Sequence, residues 1–519
     1  MKLGRIALLL SFVLVFPCYA DAPGVYAITN GVVHPVSGPE IARGTVVIRD
    51  GLIEAVGANV AIPPDATVID VAGAHVYPGL IDAHTSLGFT SSERSSSTSR
   101  REDDRPSERD AAFVAAEAIK VSESDLNARR AAGVTTVVAA PQASIVNGQS
   151  VVLNLSEGDE ASRVIRSPAA MNIAFRTRPT WTFPDSLMGV IAHLRQSFYD
   201  AAHYAAARAA YEKNPSQRRP ATDASLEALG PVIRRDLPIV MTADTVDMIR
   251  RARSLATEFD LRPIIAGARQ GWSVADDLRD VPVLVSVNWP SAPSNREDRD
   301  EQPLRVIRDR VNAPTTPSVL ARAGVQFALV SGSGGASDFL RGIRTAISSG
   351  LTEDDALRAV TLTPARIFGV DRQLGSLERG KIANVIVSDR PLFERRAKVT
   401  RVFVDGRDVR IQPADETRET SPVDGTWNLS VRTPQGNVTI IVTLRVEQGH
   451  VSGTFSGDRG SGDITGGTYD RPTLQFTITA ETDAETQDWV FRGDIDDDAI
   501  EGTVSTNLGT FQFSGSKSQ

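Results

Sequence analysis

From Pro78 to Gly369 short apolar runs alternate with stretches of helical periodicity, and this alternation limits the fold more than any other feature of the chain. Strand candidates lie at 134–138, 239–241, 263–265, 283–287 and 325–330, with helical stretches such as 246–259 and 353–360 between them. A strand reached through a helical crossover returns parallel to its predecessor, so the pattern implies a parallel sheet with helices packed on it. Over this length a (β/α)8 barrel fits better than two small domains. The flanks carry strand patterning only. Residues 25–76 alternate in short runs broken at Gly31, Asp50-Gly51 and Ala72-Gly73, and strands return at 383–387 and 399–404 before Asp405-Gly406. We read the two flanks, 21–77 and 370–410, as one composite β-sandwich beside a barrel at 78–369. A polar linker follows at 411–422, then a separate antiparallel β domain at 423–519, whose runs 438–446, 474–478 and 489–491 are divided by Gly-rich turns. The acidic run Asp494 to Asp498 lacks the spacing of a calcium loop and reads as a hairpin turn.

The first twenty residues read as a secretory signal. Lys2 and Arg5 precede an apolar run from Ile6 to Phe16, and Cys18-Tyr19-Ala20 gives the small-residue spacing of a cleavage site before Asp21. The run is shorter than the roughly 18 residues that span a bilayer, so no transmembrane segment is expected. The predicted location is therefore the periplasm or the extracellular space. Cys18 is the only cysteine, and Phe16-Pro17 before it makes a poor lipid-attachment site, which argues against a lipoprotein. Lys+Arg 56 against Asp+Glu 64 gives a net charge of −8, the wrong sign for a general nucleic-acid binder. Residues 90–110, rich in Ser, Arg, Asp and Glu, read as a mobile loop.

The most informative stretch is Val76-Tyr77-Pro78-Gly79-Leu80-Ile81-Asp82-Ala83-His84-Thr85-Ser86. It resembles the first barrel strand of the amidohydrolase superfamily, usually written PGLIDxHxH. Thr363-Pro364-Ala365-Arg366-Ile367-Phe368-Gly369 resembles the last barrel helix of that superfamily, and Gly375 to Asn384 resembles the return of the chain to its small β-sandwich. The imidazolonepropionase-like members are the most similar, and the C-terminal β domain, lipocalin-like in its patterning, lies outside the core family. The resemblance implies hydrolysis of carbon–nitrogen bonds other than peptide bonds, with one or two divalent ions such as zinc at the barrel mouth activating water. It also implies where the ligands should stand, and most are absent. His84 is present on the first strand, but its partner position holds Ser86. The bridging-lysine position holds Asn154, the two later histidine positions hold Thr242 and Gly267, and the aspartate position holds Gly332. Hydroxyls, an amide and bare backbone bind a transition ion weakly, so no metal or other cofactor is predicted.

The histidine count agrees. Of His34, His75, His84, His193, His203 and His450, only His84 sits at a strand end facing the mouth, while His193 and His203 fall in a helical stretch at 188–210. The leading expectation is a metal-free pseudoenzyme. Its mouth would be lined by His84, Ser86, Asn154, Thr242, Asp244, Gly267, Ser331, Gly332 and Ser333 and would take a small polar ligand, alone as a homo-oligomer or paired with a catalytically complete relative. Two alternatives stand beside it. One is a metal-independent hydrolase with His84 as base to Ser86, Ser331 or Ser333, oriented by Asp244 or Asp82. The other is an amidohydrolase with displaced ligands, drawn from Asp82, Asp244 and His84 or from Asp103 and Asp104.

Overall fold

The structure is a computed structural model in which two compact units are distinguished, residues 1–412 and 413–519. It describes residues 24–89, 111–142, 144–177, 183–290, 302–332, 335–409, 411, 421 and 423–517, the last range apart from 434–435, 448–449, 458–459, 465–466, 471, 482–485, 497 and 507–508. The leader, the stretch 90–110, Ser333 and most of the linker lie outside the described residues.

The larger unit opens with β1 (Tyr26–Val33), β2 (Ile41–Arg49), β3 (Leu52–Gly57), β4 (Thr67–Asp70) and β5 (His75–Pro78). The expected hairpin between β2 and β3 turns on Asp50-Gly51, with φ of 51° and 79°, a pair of left-handed residues that matches strand twist. These strands do not form half of a two-sheet sandwich. They join three strands from beyond the barrel, at Val385–Ser388, Val399–Val404 and Arg407–Val409, in one eight-stranded sheet. The sheet curls, because its edge strand β3 hydrogen-bonds to the chain entering the returning strands: Ile53 N–H donates to Lys381 O and Gly380 N–H to Ile53 O, both at 2.8 Å. Ile28, Ile48, Ile53, Val385 and Phe403 fill the interior of the curl.

The barrel follows as β6 (Leu80–Thr85), β7 (Val134–Ala139), β8 (Val146–Gln149), β9 (Val151–Asn154), β10 (Val164–Arg166), β11 (Met171–Ala174), β12 (Ile239–Ala243), β13 (Pro263–Gly267), β14 (Val283–Ser286) and β15 (Phe327–Val330). Among the described residues the ring differs from eight parallel strands. Seven run parallel (β6, β7 and β11 to β15), and the place between β7 and β11 is taken by β8 and β9 together, antiparallel to both neighbours. Ser150 interrupts this strand, and its partner changes there from β11 to β7. Alternation sorts the side chains. Ile81, Val138, Val152, Val240, Ile264, Leu284 and Ala328 form one cluster inside the ring. Leu80, Val137, Leu153, Ile239, Ile265, Val283 and Leu329 belong to the cluster shared with the surrounding helices. The helices lie where periodicity put them: Leu187–Lys213, Val246–Glu258 and Glu353–Ala359, the last two capped by Thr245 and Thr352, whose hydroxyls accept N–H bonds from the first turn.

The smaller unit is antiparallel throughout. Its strands run from Gly425–Thr433 to Gly509–Lys517; the first pairs with the last, and Gly436–Glu447 pairs with both Gly425–Thr433 and His450–Gly457. Trp427, Phe476, Phe491 and Phe513 pack its interior. Asp496 pairs with Ala499 on the next antiparallel strand, in line with the hairpin read from the acidic run. Among the described residues, no helix is long and apolar enough to cross a membrane.

Gly79 shows why the entry to β6 is glycine. A Cβ built there would lie 2.5 Å from Thr135 Cγ2 and 2.8 Å from Thr135 Cβ, inside the neighbouring strand's side chain. Gly79→Ala should therefore lower the unfolding free energy by about 1–3 kcal/mol, read from urea denaturation of the full chain. An unchanged midpoint would show that β6 and β7 are not held this close.

Candidate functional site

The parallel strands deliver their C-terminal ends to one mouth, where a cavity of about 310 Å3 opens. Parity decides what reaches it. On β12, Val240 points into the ring and so does Thr242; on β14, Leu284 and Ser286; on β11, Asn172 and Ala174. His84 lines the cavity from β6, whose pairing with β7 shifts register between Asp82 and Thr85. Its imidazole is nine-tenths buried and makes no hydrogen bond among the described residues. Burial holds it below the usual histidine range, and the Asp82 carboxylate opposes that shift only in part, so the ring is neutral.

Of the residues singled out from sequence, the structure brings His84, Thr242, Asp244, Gly267 and Gly332 together on this cavity. It places three others elsewhere. Ser86 lies past the end of β6, in a turn where Phe89 N–H donates to Ser86 O at 3.2 Å, so the two-residue spacing from His84 no longer runs along a strand. Ser331 has the parity of Phe327 and Leu329 and faces outward. Its hydroxyl donates to Asp82 Oδ2 at 2.5 Å and its N–H to Asp82 Oδ1 at 2.9 Å, and Arg129 Nη1 donates to the same Oδ2 at 2.8 Å. Asn154 stands at the far end of the ring. β9 runs against its neighbours, so its last residue arrives where the parallel strands begin. There Asn154 Oδ1 accepts from Thr136 Oγ1 and Asn384 Nδ2, both at 2.9 Å, and Asn154 Nδ2 donates to Asp405 Oδ1 at 2.6 Å. The same strand presents Asn147, not Asn154, to the mouth.

These positions bear on both alternatives raised above. Asp82 is fully buried and committed to Arg129 and Ser331, which removes it as a metal ligand or as an orienter for His84. Neither Ser86 nor Ser331 meets His84, and Ser333, Asp103 and Asp104 lie outside the described residues. Sequence reasoning missed the basic side of the cavity. Arg176 follows β11, and Arg269 follows the tight turn made by Gly267 and Ala268, both with positive φ. Arg269 Nη2 lies 3.7 Å from Asp244 Oδ2. Both arginines stand in loops just past strand ends, where hydrophobic periodicity is silent.

The residues present do not fit the divalent ion that such a barrel implies. Among the described residues, His84 and Asp244 are the only imidazole and carboxylate on the cavity, and no three His, Cys, Asp or Glu side chains are grouped to hold a metal. Two guanidinium groups share the same space and repel a cation. The two glycines at ligand positions sit in left-handed backbone close to the end of a neighbouring side chain. Gly267 has φ +93°, and a Cβ on it would lie 2.5 Å from Asp244 Oδ1; Gly332 has φ +60°, and a Cβ on it would lie 2.8 Å from Ser286 Oγ. A side chain at either position would strain the backbone and require Asp244 or Ser286 to turn away.

Comparisons with known proteins agree with this architecture. A family model described as "Amidohydrolase family" matches residues 288–409. The crystal structure of an amidohydrolase from Thermotoga maritima MSB8 superposes with a TM-score of 0.64 at 25% identity, covering 75% of this chain and 100% of that one. An enamidase from Eubacterium barkeri is 43% identical over 51 residues, which is 9% of this chain and only 13% of the length of that relative.

The buried Asp82–Arg129 pair yields a direct test. Asp82→Asn should cost about 3–5 kcal/mol in urea unfolding, since it removes the buried carboxylate that accepts from both Arg129 and Ser331, and Ser331→Ala should cost about 1–3 kcal/mol. Equal and small losses would contradict the pairing.

Proposed function

The chain belongs to the amidohydrolase family, and from that premise we propose that it is an exported, metal-free member whose barrel mouth binds a small polar ligand instead of hydrolysing a carbon–nitrogen bond. The observation that carries this reading is the pair of left-handed glycines, Gly267 and Gly332, which sit close to the side-chain ends of Asp244 and Ser286. A mere change of side chain would leave a gap that water or a displaced ligand could use. Here the left-handed backbone disfavours any side chain at the two positions, and Arg176 and Arg269 add positive charge to the same cavity. Water attack needs an activated nucleophile. His84, neutral and without a serine or aspartate hydrogen-bonded to it, supplies none by itself.

Elemental analysis of the purified full chain tests this. We expect zinc, nickel and manganese far below one equivalent after dialysis. A stoichiometric, tightly held divalent cation lost on His84→Ala would overturn the reading.

Export rests on the segment from Lys2 to Ala20. Expressed with this segment in a secreting bacterial host, the chain should appear outside the cytoplasm with Asp21 as its first residue on N-terminal sequencing. Retention in the cytoplasm with Met1 intact would count against it.

A further inference from the structure

The mouth cavity carries charge and hydrogen-bonding groups and little else. Among the described residues no Phe, Tyr or Trp side chain lines it, so these offer no face on which a flat ring would stack. Among the same residues, two guanidinium groups and one carboxylate beside a neutral imidazole leave one net positive charge. Arg269 and Asp244, both about half-exposed, are separated by 3.7 Å, beyond hydrogen-bonding range, so each keeps its capacity for a ligand. One further group is unsatisfied. Asn172 is 3% exposed; its Nδ2 donates to Gly148 O at 3.1 Å and Ala170 O at 3.2 Å, and its Oδ1 has no partner. A buried acceptor without a donor is costly, and Asn172 lines this cavity.

We infer that the cavity takes a small polyhydroxy carboxylate, with the acid group on Arg269 and the hydroxyls on Asp244, Asn172 Oδ1 and the neighbouring carboxamides. The charge balance and the orphan acceptor both constrain the ligand. A neutral sugar leaves the guanidinium charge unanswered. A simple carboxylate such as acetate has no proton to give to Asn172 Oδ1 or Asp244. An amino acid brings an ammonium that cancels its own carboxylate and leaves the cavity's positive charge in place. An anion bearing several hydroxyls meets both demands, and Arg and carboxamide side chains, being planar and polydentate, suit carboxylates and adjacent hydroxyls. This inference rests on the metal-free reading above, because an ion at His84 would compete for the same acid group.

Isothermal titration calorimetry on the full chain with sodium D-gluconate tests it. Saturable one-to-one binding at millimolar ligand or below is expected, weakening as salt is raised. D-glucose, acetate and L-alanine should give no saturable heat over the same range. Arg269→Gln should weaken gluconate by about tenfold or more while the melting temperature stays put, since the side chain is half-exposed. No saturable binding of gluconate, equal binding of D-glucose, or an Arg269→Gln variant that binds as before overturns the inference. The metal assay separates the two failures. Metal-free protein that ignores gluconate sinks the ligand class alone, and metal-loaded protein that still binds gluconate through Arg269 sinks the metal-free reading alone.

Discussion

A ring of strands must be closed somewhere, and here the first and last strands meet through a side chain more than through a backbone ladder. Among the described residues a single bridge joins them, from Thr85 on β6 to Gly332 just past β15. The Asp82 carboxylate does the joining: it accepts the N–H and the hydroxyl of Ser331 on the last strand's side and the guanidinium of Arg129 from helix Glu123–Ala131. In a fully buried setting each of these bonds is strengthened by the low dielectric. The position of the mouth, and of everything lining it, follows from this closure.

The opposite end of the ring is tied by a different device. Thr136, Asn154, Asn384 and Asp405 form a closed set of neutral and charged hydrogen bonds that joins the barrel to the curled sheet. Every member has a partner, which is the condition under which a buried polar network rigidifies the structure instead of weakening it. With both ends fixed, the mouth is left, among the described residues, with side chains that have fewer mutual bonds: Asn172 Oδ1 unpartnered, and Arg269 and Asp244 only loosely opposed. A surface that keeps its hydrogen-bonding capacity in reserve is what a binding site requires.

Much of this was legible in the residues. The alternation of apolar runs and helical stretches located the strands 134–139, 239–243, 263–267 and 283–286 to within two residues. The helical stretches beginning at 246 and 353 started where read, and Asp50-Gly51 and Asp405-Gly406 marked hairpins. What periodicity cannot carry is direction. Nothing in the residues 146–154 says which way the strand runs, so the resemblance puts Asn154 at the mouth although the strand takes it to the far end and brings Asn147 instead. Nor does a motif say where its strand stops. Ser86 keeps the spacing of a ligand but lies beyond Thr85, off the extended backbone that gives the spacing its meaning. The eight-stranded curled sheet in place of a sandwich is a matter of long-range pairing between 53 and 380–381, invisible to any local pattern.

The left-handed turn at Gly267 has a consequence for how this barrel could change. An imidazole introduced there meets Asp244 and a backbone conformation hostile to any side chain, so the substitution is harmful before it can be useful. Asp244 would have to shrink first, and the loop beyond Ala268 would have to unwind second. Placing a side chain at this turn is thus uphill at its first step.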